Sequence, residues 1–467
     1  MNTTLTATKR TLILLNTLIL TLMANIDASI VNIALPNISK SFHVGINDVQ
    51  WVVSSYLIAI SAVILVWGRL ADLHGRKRFF AAGLGIFTLG SLMCGLADNL
   101  PFLVAARVVQ AVGASMGMAL VQAIVTSIYP PEERGKALGY IGSTVAIGSL
   151  LGPGLGGLLV HFFAWPAIFF INVPIGIAGV ILTLAVMPES PKQSGDFDWP
   201  GSLLFIGLVV LFFSWLLLWQ EGLAPLWLMV AGPLLSVAAL AVFLVIERKR
   251  KHPLIDETLF ASKAFSLGVA ASWFSYVAMF GYVLFMPFYL QNVLGLSAWQ
   301  AGLLLSVYPL VLAVVAPLSG RYSDRVGVQL FTVGGLAATA VGLGLVATLG
   351  PTSPLIEVGL LIGLLGLGTA LFQSPNNSSV MGAAPRHRLG IAGSVNSFFR
   401  NLGMVSGAAF AVAIFSVTTN TGTSGVAGIT DKGLFMSGFR VVILAMGGAA
   451  LGGALVSLVR NKKQLSR

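Results

Sequence analysis

The stretch GRLADLHGRKR, from Gly68 to Arg78, recurs later in the chain as GRYSDRVG, from Gly320 to Gly327. Both copies follow the pattern G-R-x-x-D-x-x-G, and each connects two long apolar segments. A second pair of stretches, 131–152 and 385–407, repeats proline, arginine and glycine at nearly the same separation. Two pairs that agree on one separation indicate that the chain consists of two duplicated halves.

The composition around these repeats is that of a membrane protein. The chain has 467 residues, of which 56% are hydrophobic and only 9% are charged, and its mean hydropathy is +0.91. A helix needs about 20 apolar residues to cross the hydrocarbon of a bilayer, and the chain contains fourteen such segments. They lie at 11–35, 50–71, 79–97, 101–128, 137–161, 165–187, 200–220, 224–246, 265–290, 299–320, 330–349, 354–379, 389–417 and 436–459.

These spans and repeats predict the fold class and the domains. We expect an all-α integral membrane protein with 14 transmembrane helices, built as two six-helix bundles with two inserted helices between them. The predicted domains are 1–190 with spans 1 to 6, 191–262 with spans 7 and 8 and their linkers, and 263–467 with spans 9 to 14. Duplicated halves in parallel orientation are typical of transporters.

The distribution of lysine and arginine predicts the orientation in the membrane. Most of the 27 basic residues lie in alternate links and in the two tails, and cytoplasmic loops carry such an excess. We therefore expect both termini in the cytoplasm and the chain in the plasma membrane. The net charge of +11 then reflects topology and attraction to membrane lipids. Nucleic-acid binding is not expected, because no soluble basic domain with interleaved aromatic residues is present.

Asp27 lies inside the first apolar span, where an ionisable side chain is costly and usually functional. At ~1.5 Å per residue it lies ~24 Å into this span, and Arg107 lies at a matching depth in the fourth span, which runs the opposite way. Burial favours the protonated acid, whereas a nearby guanidinium favours the carboxylate. The two residues are the predicted proton-coupling pair, and a fixed structural ion pair is the alternative.

The repeated link is a candidate gate on the cytoplasmic side. Gly75 permits a tight turn, and Asp72 is placed to pair with Arg76. The second copy supplies Asp324 and Arg325 at the equivalent link, which favours a gating function over an ordinary solvated loop.

A glycine-rich stretch, GSLLGPGLGG at 148–157, is a second candidate gate. Small residues let membrane helices approach closely, and a proline bends or loosens a helix. The predicted gating residues outside the charged pairs are Gly68, Gly148, Gly152, Pro153, Gly156 and Gly157.

An enzymatic function is not expected from the sequence. The stretch GASMG at 113–117 matches the G-x-S-x-G of serine hydrolases, but all five histidines lie in links or at span ends. The sequence has no H-E-x-x-H and no ATP-binding G-x-x-x-x-G-K-[ST]. Its single cysteine, Cys94, excludes a multi-cysteine metal site. We expect neither a cofactor nor a metal.

These motifs resemble those of a known family. GRLADLHGRKR resembles motif A of the major facilitator superfamily, RVVQAVGAS (107–115) its motif B, and GSLLGPGLGG its motif C, the antiporter signature. IDASIVNIALP (26–36) is similar to the first-span motif of the fourteen-helix drug:proton antiporters. The resemblance implies a monomeric, proton-coupled multidrug exporter that works by alternating access. Its partners are then protons and small amphipathic substrates, either cationic or neutral.

Polar and aromatic side chains within the spans are candidates for the wall of a substrate cavity, because flat lipophilic molecules bind to aromatic faces. They are Asn32, Gln110, Trp273, Tyr276, Tyr282, Tyr289, Phe372, Asn376, Asn396 and Arg400. Two other functions remain open at this point. One is export of a physiological solute such as a lipid, siderophore or amino acid, and the other is a membrane receptor that binds without transport.

Overall fold

A computed structural model describes residues 6–129, 131–189, 197–220, 226–247, 257–384, 389–419 and 431–461. The regular structure within these residues is helical, and a 3-10 turn (Glu257–Ala261) and a π turn (Tyr289–Val293) flank the eleventh α-helix. The α-helices are α1 (Ala7–Phe42), α2 (Ile46–Val49), α3 (Trp51–His74), α4 (Arg76–Gly95), α5 (Leu100–Ile128), α6 (Pro131–Phe163), α7 (Ala167–Phe170), α8 (Asn172–Val186), α9 (Trp199–Gln220), α10 (Leu226–Glu247), α11 (Lys263–Phe288), α12 (Ala298–Leu305), α13 (Val307–Val326), α14 (Val328–Val346), α15 (Leu355–Gly382), α16 (Leu389–Thr419) and α17 (Lys432–Asn461).

The helices reproduce the predicted membrane spans. Eleven of the described helical stretches are long and apolar enough to cross a membrane. Three shorter apolar stretches, Leu150–Phe163, Trp199–Trp215 and Leu234–Phe243, lie in α6, α9 and α10. Each predicted span coincides with one helix or with two consecutive helices. The prediction of an all-α membrane protein with fourteen spans is confirmed.

The sixth and tenth predicted spans are each formed by two helices. Ile171 separates α7 from α8, and Ser306 separates α12 from α13. In both cases a proline, Pro174 or Pro309, is the third residue of the second helix. Because proline has no N–H to donate to the preceding turn, it fits the first turn of a helix and interrupts a longer one.

The chain divides into two compact units. Unit 1 comprises Met1–Ala34 and Trp51–Leu203, and unit 2 comprises Leu35–Gln50 and Leu204–Arg467. In unit 1, α5 packs against α3 and α4, and α4 also packs against α8. In unit 2, α11 packs against α16 and α17, and α15 packs against α13 and α14. The predicted domain boundaries near residues 190 and 262 stay predictions.

The repeated link has the same backbone conformation in both units. Its last glycine precedes α4 as Gly75, with a φ of 107°, and precedes α14 as Gly327, with a φ of 108°. Each glycine N–H donates to the carbonyl four residues earlier, at 2.9 Å in both cases. Residues with a side chain rarely adopt such a positive φ, so glycine is needed to turn the chain between the two helices.

The α4–α5 crossing of unit 1 and the α14–α15 crossing of unit 2 each contain a close glycine contact. A Cβ atom at Gly90 of α4 would lie 2.5 Å from the Cα atom of Gln110 in α5. A Cβ atom at Gly342 of α14 would lie 2.8 Å from the Cδ2 atom of Leu365 in α15. Glycine therefore allows both crossings, which place Gln110 and Leu365 at corresponding positions of the two units.

Candidate functional site

Asp27 is fully buried in unit 1, and three side chains bind its carboxylate. Arg107 donates from Nη1 to Oδ2 at 2.6 Å, which makes an ion pair. Gln110 donates to Oδ1 at 2.8 Å, and Asn172 donates to the same oxygen at 3.2 Å. Both carboxylate oxygens are thus held by donors from α5 and α8.

Arg107 is also buried and has partners beyond Asp27. Its Nε donates to the carbonyl of Val52 in α3 at 2.9 Å, and its Nη1 also donates to the side-chain oxygen of Gln110. The guanidinium carbon lies 3.9 Å from the ring centre of Tyr56 and 5.7 Å from that of Phe169. Contact of a cation with an aromatic face is favourable where water is excluded. The two rings therefore stabilise the buried guanidinium of Arg107.

Gln110 connects the ion pair to α4. Its amide nitrogen donates to Ser91 Oγ at 2.8 Å as well as to Asp27, while its oxygen accepts from Arg107. Gly90 beside Ser91 has no side chain, so α5 comes close enough for these bonds. We refer to Asp27, Arg107, Gln110, Ser91 and Asn172 as the Asp27 network.

The electrostatics of this network depend on the ion pair of Asp27 and Arg107. With Asp27 ionised, the two opposite charges of Asp27 and Arg107 cancel within a buried region. Removing one member of such a pair leaves an uncompensated charge and costs about 3 to 5 kcal/mol. Protonation of Asp27 has the same electrostatic effect, because it leaves the guanidinium of Arg107 charged.

The predicted gating glycines of α6 pack against α1. A Cβ atom at Gly148 would lie 2.8 Å from Asn25 Cβ, and one at Gly152 would lie 1.7 Å from Ser29 Oγ. Ser29 Oγ lies 3.4 Å from the carbonyl oxygen of Gly148, and its closer acceptors are the carbonyls of Asn25 and Ile26 within α1. In the next turn of α6, a Cβ atom at Gly156 would meet the side chain of Ile33. Pro153 lies inside the helix, and Gly157 is buried. The α1–α6 contact thus has no room for side chains on this face of α6.

The predicted gating residues of the repeated link are only partly described. Arg76 donates to the carbonyl of Ala123 in α5 at 3.1 Å, and Arg325 is exposed near the end of α13. Gly75 makes the turn described above. The side-chain environments of Gly68, Asp72 and Asp324 lie outside the described part of the structure.

Four of the predicted cavity residues are half-buried in unit 2. Trp273 Nε1 donates to Ser406 Oγ at 3.4 Å, and Tyr276 accepts a hydrogen bond from Gln373. Asn396 donates to Asn377 Oδ1 at 3.1 Å. Arg400 is half-buried on the same helix as Asn396, and its Nε has no partner among the described residues.

The other predicted cavity residues of unit 2 are buried within its helix packing. Tyr289 donates to the carbonyl of Gly350 at 2.8 Å, and Phe372 lies in an apolar cluster of α11, α14, α15 and α17. Tyr282 is also buried, and its hydroxyl has no partner among the described residues. Asn376 donates to the carbonyl of Gly268 at 3.1 Å.

Two predicted cavity residues belong to unit 1. Asn32 is buried and donates to the carbonyl of Ala28 at 3.0 Å. Gln110 is a member of the Asp27 network, so its side chain binds Asp27 and Arg107.

The sequence analysis did not identify Asn172 and Ser91 as members of the Asp27 network, nor Tyr56, Val52 and Phe169 as contacts of Arg107. Asn172 stands alone as an amide in the apolar stretch FFINVPIG (169–176), which was its only visible signal. Ser91 and Tyr56 carry no such signal, because serine and tyrosine are common in membrane helices. Among the residues that the structure describes, no group of three metal-ligating side chains is present.

Known proteins similar to this chain are transporters. Riboflavin transporter RibZ from Clostridioides difficile (strain 630) is 35% identical over 399 residues, which are 84% of this chain and 86% of RibZ. Multidrug resistance protein Stp from Mycobacterium tuberculosis (strain CDC 1551 / Oshkosh) is 36% identical over 392 residues, 82% of this chain and 72% of Stp.

A solved structure shows the same fold at low sequence identity. It is the crystal structure of a bacterial homolog to the human lysosomal transporter Spinster, in an inward-facing and occupied conformation. The TM-score is 0.69 at 15% identity, and the match covers 98% of this chain and 97% of that chain.

The family model for the Major Facilitator Superfamily matches residues 17–408. This range contains both copies of the repeated link and the whole Asp27 network. Family and fold are those of membrane transporters and not of enzymes. The chain is therefore a multi-pass membrane transporter that belongs to the Major Facilitator Superfamily.

Proposed function

We propose that this transporter is a proton-coupled antiporter that exports amphipathic drugs, cationic or neutral, across the plasma membrane by alternating access. Both termini are then cytoplasmic, as the distribution of basic residues predicts. The observation that carries the proposal is the buried ion pair of Asp27 and Arg107, bridged by Gln110. A relative named as a multidrug resistance protein, Stp, supports a drug substrate.

Proton binding at Asp27 supplies the coupling in this proposal. The ionised pair is stable in its dry surroundings because its charges cancel. A proton on Asp27 leaves Arg107 uncompensated, which favours a conformation in which Arg107 reaches water or another negative charge. A ligand that favours one conformation shifts the equilibrium towards it, and the proton is such a ligand here.

Helix α1 provides a mechanical connection between Asp27 and the glycine-rich stretch. Asp27 contacts α5, whereas Asn25 and Ser29 contact α6 at Gly148 and Gly152. Residues two apart do not share a face of a helix, so α1 carries the proton site on one side and the tight α1–α6 contact on the other. A movement of α1 after protonation therefore changes that contact, which we propose is the outer gate.

The half-buried side chains of unit 2 are the proposed substrate contacts. Trp273 and Tyr276 offer aromatic faces, and Asn396 and Arg400 offer polar groups on α16. Their partial exposure leaves surface for a ligand, in contrast to the fully packed Tyr289 and Phe372. A binding wall of this kind suits flat amphipathic molecules.

A second candidate substrate is riboflavin or another flat physiological solute. The relative RibZ is named a riboflavin transporter and matches 84% of this chain at 35% identity. The same aromatic side chains suit a flat ring system, so the two candidates differ in substrate and not in the site.

Transport in proteoliposomes tests the proposal directly. Ethidium and riboflavin are the two probes, and their flux is measured with and without an imposed pH gradient. We compare the unchanged protein with Asp27→Asn, and use Asp98→Asn as the matched control because Asp98 is an exposed carboxylate. We expect gradient-driven ethidium flux in the unchanged protein and the control, and its loss in Asp27→Asn.

Two outcomes would contradict parts of the proposal. Ethidium flux that persists in Asp27→Asn with the same dependence on the gradient would place the coupling elsewhere. Flux of riboflavin without flux of ethidium would contradict a drug substrate and support the physiological one. Proton coupling would then be tested by the riboflavin flux of Asp27→Asn and Asp98→Asn.

A further inference from the structure

A buried arginine that has no carboxylate partner among the described residues lies at the C-terminal end of α17 in unit 2. Arg460 belongs to the last turn of α17, and only 5% of its surface is exposed. Its Nη1 donates to Asn376 Oδ1 in α15 at 2.6 Å. Its Nε and Nη2 have no hydrogen-bond partner among the described residues.

The two unpartnered donors of Arg460 form one edge of the guanidinium. The N–H of Nε and an N–H of Nη2 point in the same direction, with the spacing that matches two oxygens of a phosphate or carboxylate. Nη1 is fixed on the other side by Asn376, and Asn376 is fixed in turn by the carbonyl of Gly268 in α11. The free edge is therefore held in a defined direction.

Ser457 adds a third unpartnered polar group on the same side of α17. It lies three residues before Arg460, so both side chains project from one face of the helix. Ser457 is fully buried, and its Oγ has no partner among the described residues. Buried polar groups are nearly always hydrogen-bonded, and a buried charge without a partner is more costly still.

The described carboxylates of α15 and of the link before α17 are far from this position along the helices. Glu357 lies in the first turn of α15, and Asp431 directly precedes α17, whereas Arg460 and Asn376 lie towards the opposite ends. The span Lys432–Arg460 has 29 residues, a length of about 42 Å against a hydrocarbon core of about 30 Å. The helix is thus about 12 Å longer than the hydrocarbon core, and we place its last turn, which contains Arg460, among the lipid headgroups.

We infer that Arg460 and Ser457 form a binding site for a phosphate oxyanion, held by two hydrogen bonds on the Nε and Nη2 edge. The phosphate belongs to a lipid headgroup or to a soluble phosphate compound, and the depth of the site suits both. This site lies in unit 2 and is separate from the Asp27 network of unit 1. It does not depend on proton coupling.

Thermal unfolding of the purified full chain tests this site. The probes are inorganic phosphate and, separately, micelles that contain phosphatidylglycerol, with diacylglycerol as the lipid without phosphate. The variants are Arg460→Lys, which keeps the charge but loses the paired edge, and Arg460→Met. Arg440→Met is the matched control, because Arg440 is an exposed arginine of the same helix.

We expect one of the phosphate probes to raise the unfolding temperature of the unchanged protein and of Arg440→Met, with no effect of diacylglycerol. Arg460→Lys should need a probe concentration at least roughly tenfold higher for the same rise in unfolding temperature, as expected for loss of a charge-assisted bidentate contact. Arg460→Met should not respond to either phosphate probe. A response to phosphatidylglycerol alone assigns a lipid headgroup, and a response to inorganic phosphate assigns a soluble oxyanion.

Two results would overturn the inference. One is the absence of any response to either phosphate probe in the unchanged protein, which would mean that another part of the chain satisfies Arg460. The other is an equal response in Arg460→Met, which would place the phosphate elsewhere. Because Arg460→Lys keeps the buried charge, it separates loss of the site from failure to fold.

Discussion

The α4–α5 crossing of unit 1 and the α14–α15 crossing of unit 2 both contain a close glycine contact but differ in chemistry. Gly90 meets Gln110 in the first, and Gly342 meets Leu365 in the second. Gln110 binds the ion pair of unit 1, while Leu365 is fully buried among apolar neighbours. Close glycine contacts are thus shared by the two crossings, whereas a side chain that binds an ion pair is present at the α4–α5 crossing and an apolar one at the α14–α15 crossing.

Arg107→Met is expected to have the largest effect, because it leaves the buried carboxylate of Asp27 without its counter-charge. We expect a loss of about 3 to 5 kcal/mol in the free energy of unfolding, measured by SDS titration in mixed micelles. The double variant Asp27→Asn with Arg107→Met should be more stable than Arg107→Met alone. If the effects of the two substitutions on the free energy of unfolding were additive, Asp27 and Arg107 would not be energetically coupled. The ion pair would then not distinguish the stability of the two units.

Exchanging the residues at the two crossings sharpens the comparison. Gln110→Leu removes a donor to Asp27, and we expect a cost of about 1 to 3 kcal/mol in the free energy of unfolding. Leu365→Gln places an amide among apolar neighbours and should cost a similar amount, because a buried polar group without a partner is unfavourable. If Leu365→Gln left the free energy of unfolding unchanged in the same titration, unit 2 would also accept a polar side chain at its crossing.

The smallest expected difference is between Gly90→Ala and Gly342→Ala. The new Cβ atom at Gly90 would meet the backbone of Gln110, which cannot move without a shift of α5. The new Cβ atom at Gly342 would meet the end of the Leu365 side chain, which can rotate away. We expect about 2 kcal/mol for Gly90→Ala and less than about 1 kcal/mol for Gly342→Ala, from the cost of overpacking. Equal unfolding temperatures for the two variants would contradict this reasoning.

Much of the fold was predictable because membrane spans leave a strong signal in sequence. Fourteen apolar segments and one repeated link predict the helices and the duplicated turn at Gly75 and Gly327, and the structure contains both. The helix breaks at Ile171 and Ser306 were not predicted. Their cause is local, since a proline three residues later needs a new first turn, but proline is also tolerated within membrane helices.

The candidate site was predictable only where charge is rare. Asp27 and Arg107 are conspicuous in apolar spans, and their similar depth in antiparallel helices indicates their contact, which the structure contains. The aromatic residues of unit 2 gave no such indication. A tyrosine in an apolar helix has the same sequence context whether it faces a cavity or a neighbouring helix, so Tyr276 and Tyr289 differ only in the folded structure.

The single cysteine of the chain lies beside the Asp27 network and provides a native reporter of its opening. Cys94 is fully buried in α4, and its sulfur lies 3.8 Å from the side-chain oxygen of Gln110. A maleimide reagent reaches this sulfur only when the helix packing around Cys94 opens. The alkylation rate of the unchanged protein, followed by mass spectrometry at one pH with and without substrate, therefore measures how often the network opens, because the reactive thiolate fraction then stays the same. No engineered label is needed, since no second thiol competes.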